Sequence, residues 1–223
     1  MSFSKWHAHG NVYEVRAPGG PVAAGTDGAV EVVAVGGDEV EVAIVNPDGS
    51  HAEMSGNGTR IAAAWLLEQT GADAARVRVG PRLVTVRRLG GGLYESALGR
   101  VDVGEPERVG GVELIPVSVG NPHAVVVGDP AEIARLGPLL ERHPRFPNGT
   151  NVQAARVDGP GRVTARVWER GVGETQASGT SAVAVAAATH DGGTVEVSFP
   201  GGTLTVRLDG GEASLIGPAE RLD

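Results

Sequence analysis

The chain has 223 residues, 27 acidic against 19 basic side chains, a net charge of −8 at pH 7, no cysteine and only 4% aromatic residues. The charge argues against nucleic acid as a main partner, since phosphate binding needs a basic surface, and the missing cysteine excludes disulfides, thiolate chemistry and Cys-ligated metal. A single lysine, Lys5, argues against a pyridoxal phosphate enzyme, whose cofactor is held as a lysine Schiff base. No apolar run reaches 18 residues and no basic segment precedes an apolar one, so the expectation is a cytoplasmic protein with no membrane partner. With 41% hydrophobic residues the core must rest on Val, Leu and Ala. The length allows one large domain or two of about 110 residues.

In chain order, residues 1–15 read as an opening strand and turn, interrupted by His7-Ala-His9-Gly10-Asn11. His7 and His9, two apart, would share one face of a strand; without a third ligand nearby they are read as structural, and no metal is expected. Pro18-Gly-Gly-Pro21 is a turn. The β-branched runs 29–35 and 40–45 flank a hairpin turn at Gly36-Gly37-Asp38, and Asn46-Pro47-Asp48-Gly49 ends the second run. A helix is expected over 61–69 with Gly71 as its C-cap. Strands follow over 77–79, 83–88 and 93–103, and the polar stretch 104–111 carries the crossing between halves.

The second half opens with strands over 114–119 and 125–127. Asp129, Pro130 and Glu132 mark a helix start over 130–136, with a short helix over 139–143. Strands are expected over 152–157 and 162–168, a helix over 181–189, and a closing meander over 194–198, 204–208 and 212–216.

Two stretches share one plan. Asn46 lies nine residues before Ser55, and Glu169 nine before Ser178; each Ser is followed by Gly, two small or polar residues and an Ala-rich helix. Gly10-Asn11 also has an echo in Gly120-Asn121. The duplication predicts an α+β fold of two pseudo-symmetric lobes, 1–112 and 113–223, each a sheet wrapped around one buried helix. Both helix N-termini would face an inter-lobe cleft, where free N–H groups and the positive dipole end suit a small anion. Taken singly, Ser55 and Ser178 read as helix caps, Glu169-Arg170 as a solvated pair, and Asn11, Asn121 and Asn151 as turn formers. Together they outline a pocket for an α-amino acid with an equivalent group on each side of its Cα, the arrangement a racemase or epimerase needs.

The motifs Asn46-Pro-Asp-Gly-Ser, Ser55-Gly-Asn-Gly-Thr-Arg60, Gly120-Asn-Pro-His123 and Glu169-Arg-Gly-Val-Gly-Glu-Thr-Gln-Ala-Ser-Gly-Thr180 resemble those of the diaminopimelate epimerase family. So do Phe3-Ser-Lys-Trp-His7 and Gly10-Asn11, Leu136–Pro147, and Phe199-Pro-Gly-Gly202. The resemblance spans nearly the whole chain. It implies a mostly antiparallel barrel around a central helix in each lobe. The activity it implies is cofactor-free proton transfer at an amino-acid Cα, in the pathway to lysine and peptidoglycan precursors. Carried over by position, the substrate contacts would be Asn11, Asn46, Gly56, Asn57, Asn121, Asn151, Glu169, Arg170, Gly179 and Thr180. The acid/base positions would be Ser55 and Ser178, tuned by His123 and Glu169. The partner would be a small-molecule amino acid; a homodimer stays open.

The chain departs from the family where the chemistry sits. The family carries cysteine at both acid/base positions, and a serine hydroxyl is a far weaker acid than a thiol. The first lobe also lacks the helix the family has before its Gly-Thr-Asp segment, with only 18–24 in that space; Val12 stands for an Asp and Gly28 for a glutamine contact. Three explanations of the serines stand side by side: a natural homologue with altered activity, a chain whose cysteines were replaced, or serines aided by His123, Glu169 or another group. Two functions stand beside epimerisation: amino-acid binding without turnover, and a dehydratase or isomerase that removes a proton from one face only.

Overall fold

A computed structural model describes residues 4–52 and 55–222. Phe3, part of the N-terminal likeness, lies outside them. The chain forms two compact units: residues up to Ala97 together with those from Ile216 onward, and Leu98–Leu215. The expected boundary at 112/113 is therefore displaced. The stretch 104–111 belongs to the second unit, and the last residues return to the first. The return gives the opening strand a partner: Trp6 pairs with Arg221 and His7 with Glu220.

The first unit runs β1 (Ser4–Ala8), β2 (Asn11–Arg16), β3 (Gly28–Gly36), β4 (Glu39–Val45), β5 (His51–Ala52), α1 (Gly56–Thr70), β6 (Ala74–Val79), β7 (Arg82–Gly90) and β8 (Leu93–Arg100), which crosses into the second. Its sheet is mostly antiparallel, with parallel pairings of β2 with β3 and of β4 with β6. Gly37, at φ +62, leads the two-residue turn between β3 and β4. His9 does not share a strand face with His7. It lies in the turn beyond β1 at φ +46, and His7 Nε2 accepts the Gly10 N–H at 3.0 Å.

The second unit contains β9 (Asp102–Val103), β10 (Glu107–Val109), β11 (Val112–Ser118), β12 (Pro122–Val127), a 3-10 turn at Pro130–Glu132, α2 (Ile133–Glu141), β13 (Asn151–Gly159), β14 (Arg162–Glu169), β15 (Gly173–Thr175), α3 (Gly179–Thr189), β16 (Gly193–Phe199) and β17 (Gly202–Asp209). β18 (Glu212–Pro218) leads back, and β19 (Glu220–Arg221) closes on β1. The pairings repeat those of the first unit: β11 and β12 antiparallel, β12 and β13 parallel, β13 to β14 to β15 antiparallel, β14 and β16 parallel, β16 and β17 antiparallel.

Both long helices begin earlier than their apolar periodicity does, at Gly56 and Gly179 rather than 61 and 181. Gly, Asn and Thr are poor helix formers, and tertiary enclosure outweighs that cost. In α1, Ile61, Leu66 and Leu67 are buried with the whole Ala62–Ala64 run, and Gly71 at φ +69 caps its C-terminus. α3 is buried from Ser181 through Ala186 although it contains two β-branched valines. Each helix packs with the strands of its own unit into one apolar cluster. The stretch expected as two short helices is one, running through Gly137-Pro138, because Ile133, Leu136 and Leu140 all enter a third cluster.

That third cluster shows where the halves differ. β12 and β13 are covered on both faces: Val125 and Ala155 pack with α3, whereas Ala124, Val152 and Ala154 pack with α2. Between β2 and β3 there is no such helix, and the outward residues are charged instead. Arg16 is paired with Glu14 at 3.4 Å and Glu31 at 3.0 Å, and its guanidinium donates to the carbonyls of Gly20 and Pro21 at 2.8 Å. Glu14 and Glu31 are buried by the same loop. A hydrogen-bonded ion cluster thus closes the face that apolar packing closes in the second unit.

Gly137 lies where α2 meets the Trp168 ring; a Cβ there would overlap ring atoms Cγ and Cδ2. Gly→Ala in a helix interior normally gains about 1 kcal/mol. Here Gly137→Ala is expected to cost about 1–3 kcal/mol through overpacking, read from the urea midpoint by tryptophan fluorescence. A stabilised variant would show that Trp168 does not rest on this helix.

Candidate active site

In the first unit Ser55 caps α1. Its backbone is extended (φ −136, ψ 119), its hydroxyl accepts the Gly58 N–H at 3.0 Å, and its carbonyl accepts the Thr59 N–H at 2.8 Å. The N–H groups of Gly56 and Asn57 are therefore the ones α1 leaves without a partner in its own helix. Asn57 donates from Nδ2 to Asn11 Oδ1 at 2.8 Å, which ties the first helical turn to the head of β2. Asn57 Oδ1 accepts from Arg60 Nη2. Ser55, Gly56 and Asn57 are half-buried, while the helix behind them is closed. Asn46 stands apart from this group in its hydrogen bonding: its N–H and Nδ2 both go to Ser50, within the turn after β4.

Two residues to which the sequence reading gave no site role, Tyr13 and the motif's own Arg60, lie beside this group. Tyr13 Oη lies 3.4 Å from Ser55 Oγ. Arg60 is fully buried; it donates through Nε to the Pro218 carbonyl at 3.4 Å, and Nη1 has no partner. Burial pushes its guanidinium down to about 10, an effect that the nearby Tyr13 oxygen opposes. His9 is held near 4 by burial first, then by the charges of Arg60 and His7.

In the second unit Ser178 caps α3 with the same extended backbone (φ −143, ψ 128), and its carbonyl accepts the Ala182 N–H at 2.9 Å. Its hydroxyl makes no capping hydrogen bond. Thr180, the counterpart of Asn57, accepts from Asn121 Nδ2 at 3.5 Å. The same link thus joins the second residue of each helix to the asparagine heading the strand beneath it. Asn121 Oδ1 lies 3.1 Å from His123 Nε2, and His123 Nδ1 lies 2.9 Å from Gln153 Nε2. Gln153 also donates to Ser181 at 2.9 Å, so a buried chain of polar groups runs from β12 through β13 to α3. Burial pushes His123 down to about 3, against the Gln153 hydrogen bond and assisted by the charge of Arg170.

Glu169 accepts the Thr175 hydroxyl at 2.6 Å. Asn151 holds the loop next to it: Oδ1 accepts the Arg170 N–H and Nδ2 donates to the Pro122 carbonyl, both at 3.0 Å. Glu141 supports that loop from below by accepting the Trp168 indole N–H at 2.9 Å and the Gly171 N–H at 2.8 Å, and these two donors hold its carboxyl below the usual range.

The structure therefore brings Asn11, Ser55, Gly56 and Asn57 together in one unit, and Asn121, His123, Gly179 and Thr180 in the other. Asn151, Glu169 and Arg170 form a hydrogen-bonded loop in the second. Tyr13, Arg60, Gln153 and Glu141 were missed. For Tyr13 a signal existed: it follows Gly10-Asn11 at the offset at which His123 follows Gly120-Asn121. Gln153 and Glu141 act through partners about 30 residues away, which no local motif records.

Comparison with known proteins points one way. The family model for diaminopimelate epimerase matches residues 115–222. Diaminopimelate epimerase of Pelotomaculum thermopropionicum is 36% identical over 89% of this chain and 82% of its own length. That of Desulforudis audaxviator is 35% identical over 100% of this chain and 97% of its own, and that of Xanthomonas campestris 39% over 79% and 72%. Among solved structures, a PhzF-family phenazine biosynthesis protein from Bacillus anthracis superimposes with a TM-score of 0.71 at 12% identity, covering 100% of this chain and 98% of that one. A hydroxyproline epimerase from Agrobacterium vitis does so with 0.66 at 15%, covering 99% and 90%. These two speak for the fold alone. Among the described residues no helix is long and apolar enough to cross a membrane.

The buried His123 predicts a pH dependence of stability. Its value falls from an ordinary 6.5 to about 3 on folding, so between those values the unfolded chain binds a proton that the folded chain does not. Stability is complete above the ordinary value and declines as pH falls through this window, by about 1.4 kcal/mol per pH unit for one such group. Between pH 7 and pH 4.5, wild type should lose about 2 kcal/mol more than His123→Gln in urea unfolding. Parallel losses in the two proteins would mean that His123 is not buried neutral.

Proposed function

Because the chain belongs to the diaminopimelate epimerase family, we propose that it inverts the Cα of an amino acid, interconverting LL- and meso-diaminopimelate on the route to lysine and peptidoglycan, without a cofactor. The observation that carries the reading is the repeated cap: an extended Ser before a glycine, followed by a residue bonded to the asparagine at the head of a strand, once in each unit.

In this reading the two helix N-termini offer N–H groups and positive dipole ends to the substrate carboxylate, and the hydroxyls of Ser55 and Ser178 take opposite faces of Cα. One removes the proton and the other supplies one to the far face, which inverts the centre. Asn11, Asn57, Asn121 and Thr180 form the polar rim, and Glu169 and Arg170 serve the substrate's ammonium and carboxylate ends. Serine makes the transfers slow. A thiol has an ordinary pKa near 8.5, so cysteine would reach its basic form far more readily.

A second reading has its own support. The Ser178 hydroxyl has no capping partner, and the ring nitrogens of His123 already face Asn121 and Gln153. The second unit therefore offers Ser178 less help than the first offers Ser55. One-sided chemistry, as in a dehydratase, or binding alone would follow from that asymmetry.

The test is incubation of the protein with LL-diaminopimelate and a panel of α-amino acids in D2O, followed by NMR and chiral analysis. Epimerase action gives Cα deuterium with both stereoisomers; a keto or imine product indicates elimination; a thermal shift without exchange indicates binding alone. The double replacement Ser55→Cys and Ser178→Cys should raise the epimerisation rate by at least about 10²-fold, the lower end of what an effective acid–base group contributes. No gain with a stably folded protein would sink the assignment of these two positions.

A further inference from the structure

Tyr13 belongs to the core cluster of the first unit, yet its hydroxyl end meets the half-buried cap of α1. Its ring is held in place by an absence. Gly28, paired with Tyr13 across the parallel ladder of β2 and β3, has no Cβ; one placed there would lie 2.8 Å from Tyr13 Cε1 and 2.7 Å from the Val45 carbonyl. Any larger residue at position 28 would push the ring off its seat. Gly217 does the same for Arg60: a Cβ there would come within 2.9 Å of Arg60 Cζ. Two glycines thus leave room for a phenol and a guanidinium, and both of those side chains converge on the first turn of α1.

The polar environment is one-sided. The Gly58 N–H occupies one acceptor site of Ser55 Oγ, which leaves the hydroxyl proton free to point at Tyr13 Oη. The separation of 3.4 Å is long for a hydroxyl pair, as catalytic contacts often are before substrate arrives. Among the described residues Arg60 has no carboxylate partner: its hydrogen bonds go to an amide oxygen and a carbonyl. A buried cation without a carboxylate is costly, and it would gain from a negative charge on the Tyr13 oxygen whenever that phenol gives up its proton. The attraction is reciprocal, so the guanidinium also stabilises charge on that oxygen.

We propose that Tyr13 is the positioning residue that makes Ser55 serviceable as an acid and base, relaying the proton that the serine exchanges with substrate. This rests on the epimerase reading given above. When Ser55 protonates the carbanionic Cα, its Oγ–H bond breaks as the C–H bond forms, and Tyr13 passes its Oη proton to Oγ, leaving a phenolate beside Arg60. In the reverse direction Oγ takes the Cα proton while its own proton returns to the phenolate. A phenol, ordinarily near 10, is a much better proton carrier than an aliphatic hydroxyl, so the pair needs no thiol. At the matching place in the second unit stands His123, whose ring nitrogens face Asn121 and Gln153. The two serines are thereby unequal, with Ser55 the better equipped.

Two measurements decide it. Tyr13→Phe keeps the ring and removes the phenol hydroxyl. It should lower kcat for Cα exchange by at least about tenfold with KM little changed, and that loss should be about tenfold larger with Ser55 in place than in Ser55→Cys, where a thiol needs no relay. Because the chain has two tyrosines, 13Cζ-tyrosine labelling gives two NMR signals, assigned by Tyr13→Phe. Ser55→Ala should move the Tyr13 signal and leave that of Tyr94 in place. Equal losses in the Ser and Cys backgrounds, or an unmoved Tyr13 signal in an active protein, would overturn the relay and leave the epimerase reading intact. If neither the protein with its serines nor its double Cys variant exchanges any Cα proton, the epimerase reading falls and takes the relay with it.

Discussion

Each unit depends on one constraint: a helix with an apolar middle, residues 61–67 in α1 and 182–188 in α3, must have that stretch shut away from water. Alanine and leucine make up most of that stretch in α1, and alanine and valine all of it in α3, which is apolar all round there. A helix of that kind is stable only when a sheet surrounds it. Enclosure leaves the ends as the only route by which its backbone meets solvent or ligand. The half-open first turns at Ser55–Asn57 and Ser178–Thr180 are therefore a consequence of how the core is built. The binding groups there, N–H donors and the dipole, come from the backbone and need no particular side chain.

Placed on that frame, the side chains divide the labour. Asn11 and Asn121 fix the first helical turn to the neighbouring strand in both units. Beneath that shared link the units diverge. The first holds a buried guanidinium and a phenol, with Gly28 and Gly217 clearing the space for them. The second holds a neutral imidazole bound into a chain with Gln153 and Ser181. A duplicated scaffold has thus been fitted with two different proton environments, and two prolines' worth of turn on one side stands against a full helix, α2, on the other. The outward face of β2 and β3 records the loss of that helix: Glu14, Arg16 and Glu31 lie where the second unit has Ala124, Val126 and Ala154.

Much of this was legible in the chain. The loop-to-helix device, the repeated Gly-Asn and the family likeness are all local: their signals lie within about twenty residues, and helix entry is encoded by the cap and the few residues after it. The strands were legible for the same reason, since alternation and turn residues are short-range signals. The helix starts were placed late because Gly-Asn-Gly-Thr and Gly-Thr-Ser have low intrinsic helicity, and enclosure overrides that preference.

The sequence by itself determined the duplicated plan, the two capping serines and the family. Only the tertiary structure decided that the last residues return to pair with β1, that Arg60 is buried without a carboxylate, and that Tyr13 meets Ser55 across 42 residues of chain. The reason is physical: a cap or a turn is fixed by neighbours along the backbone, whereas a contact between distant residues exists only once the sheet has closed around its helix and set their separation.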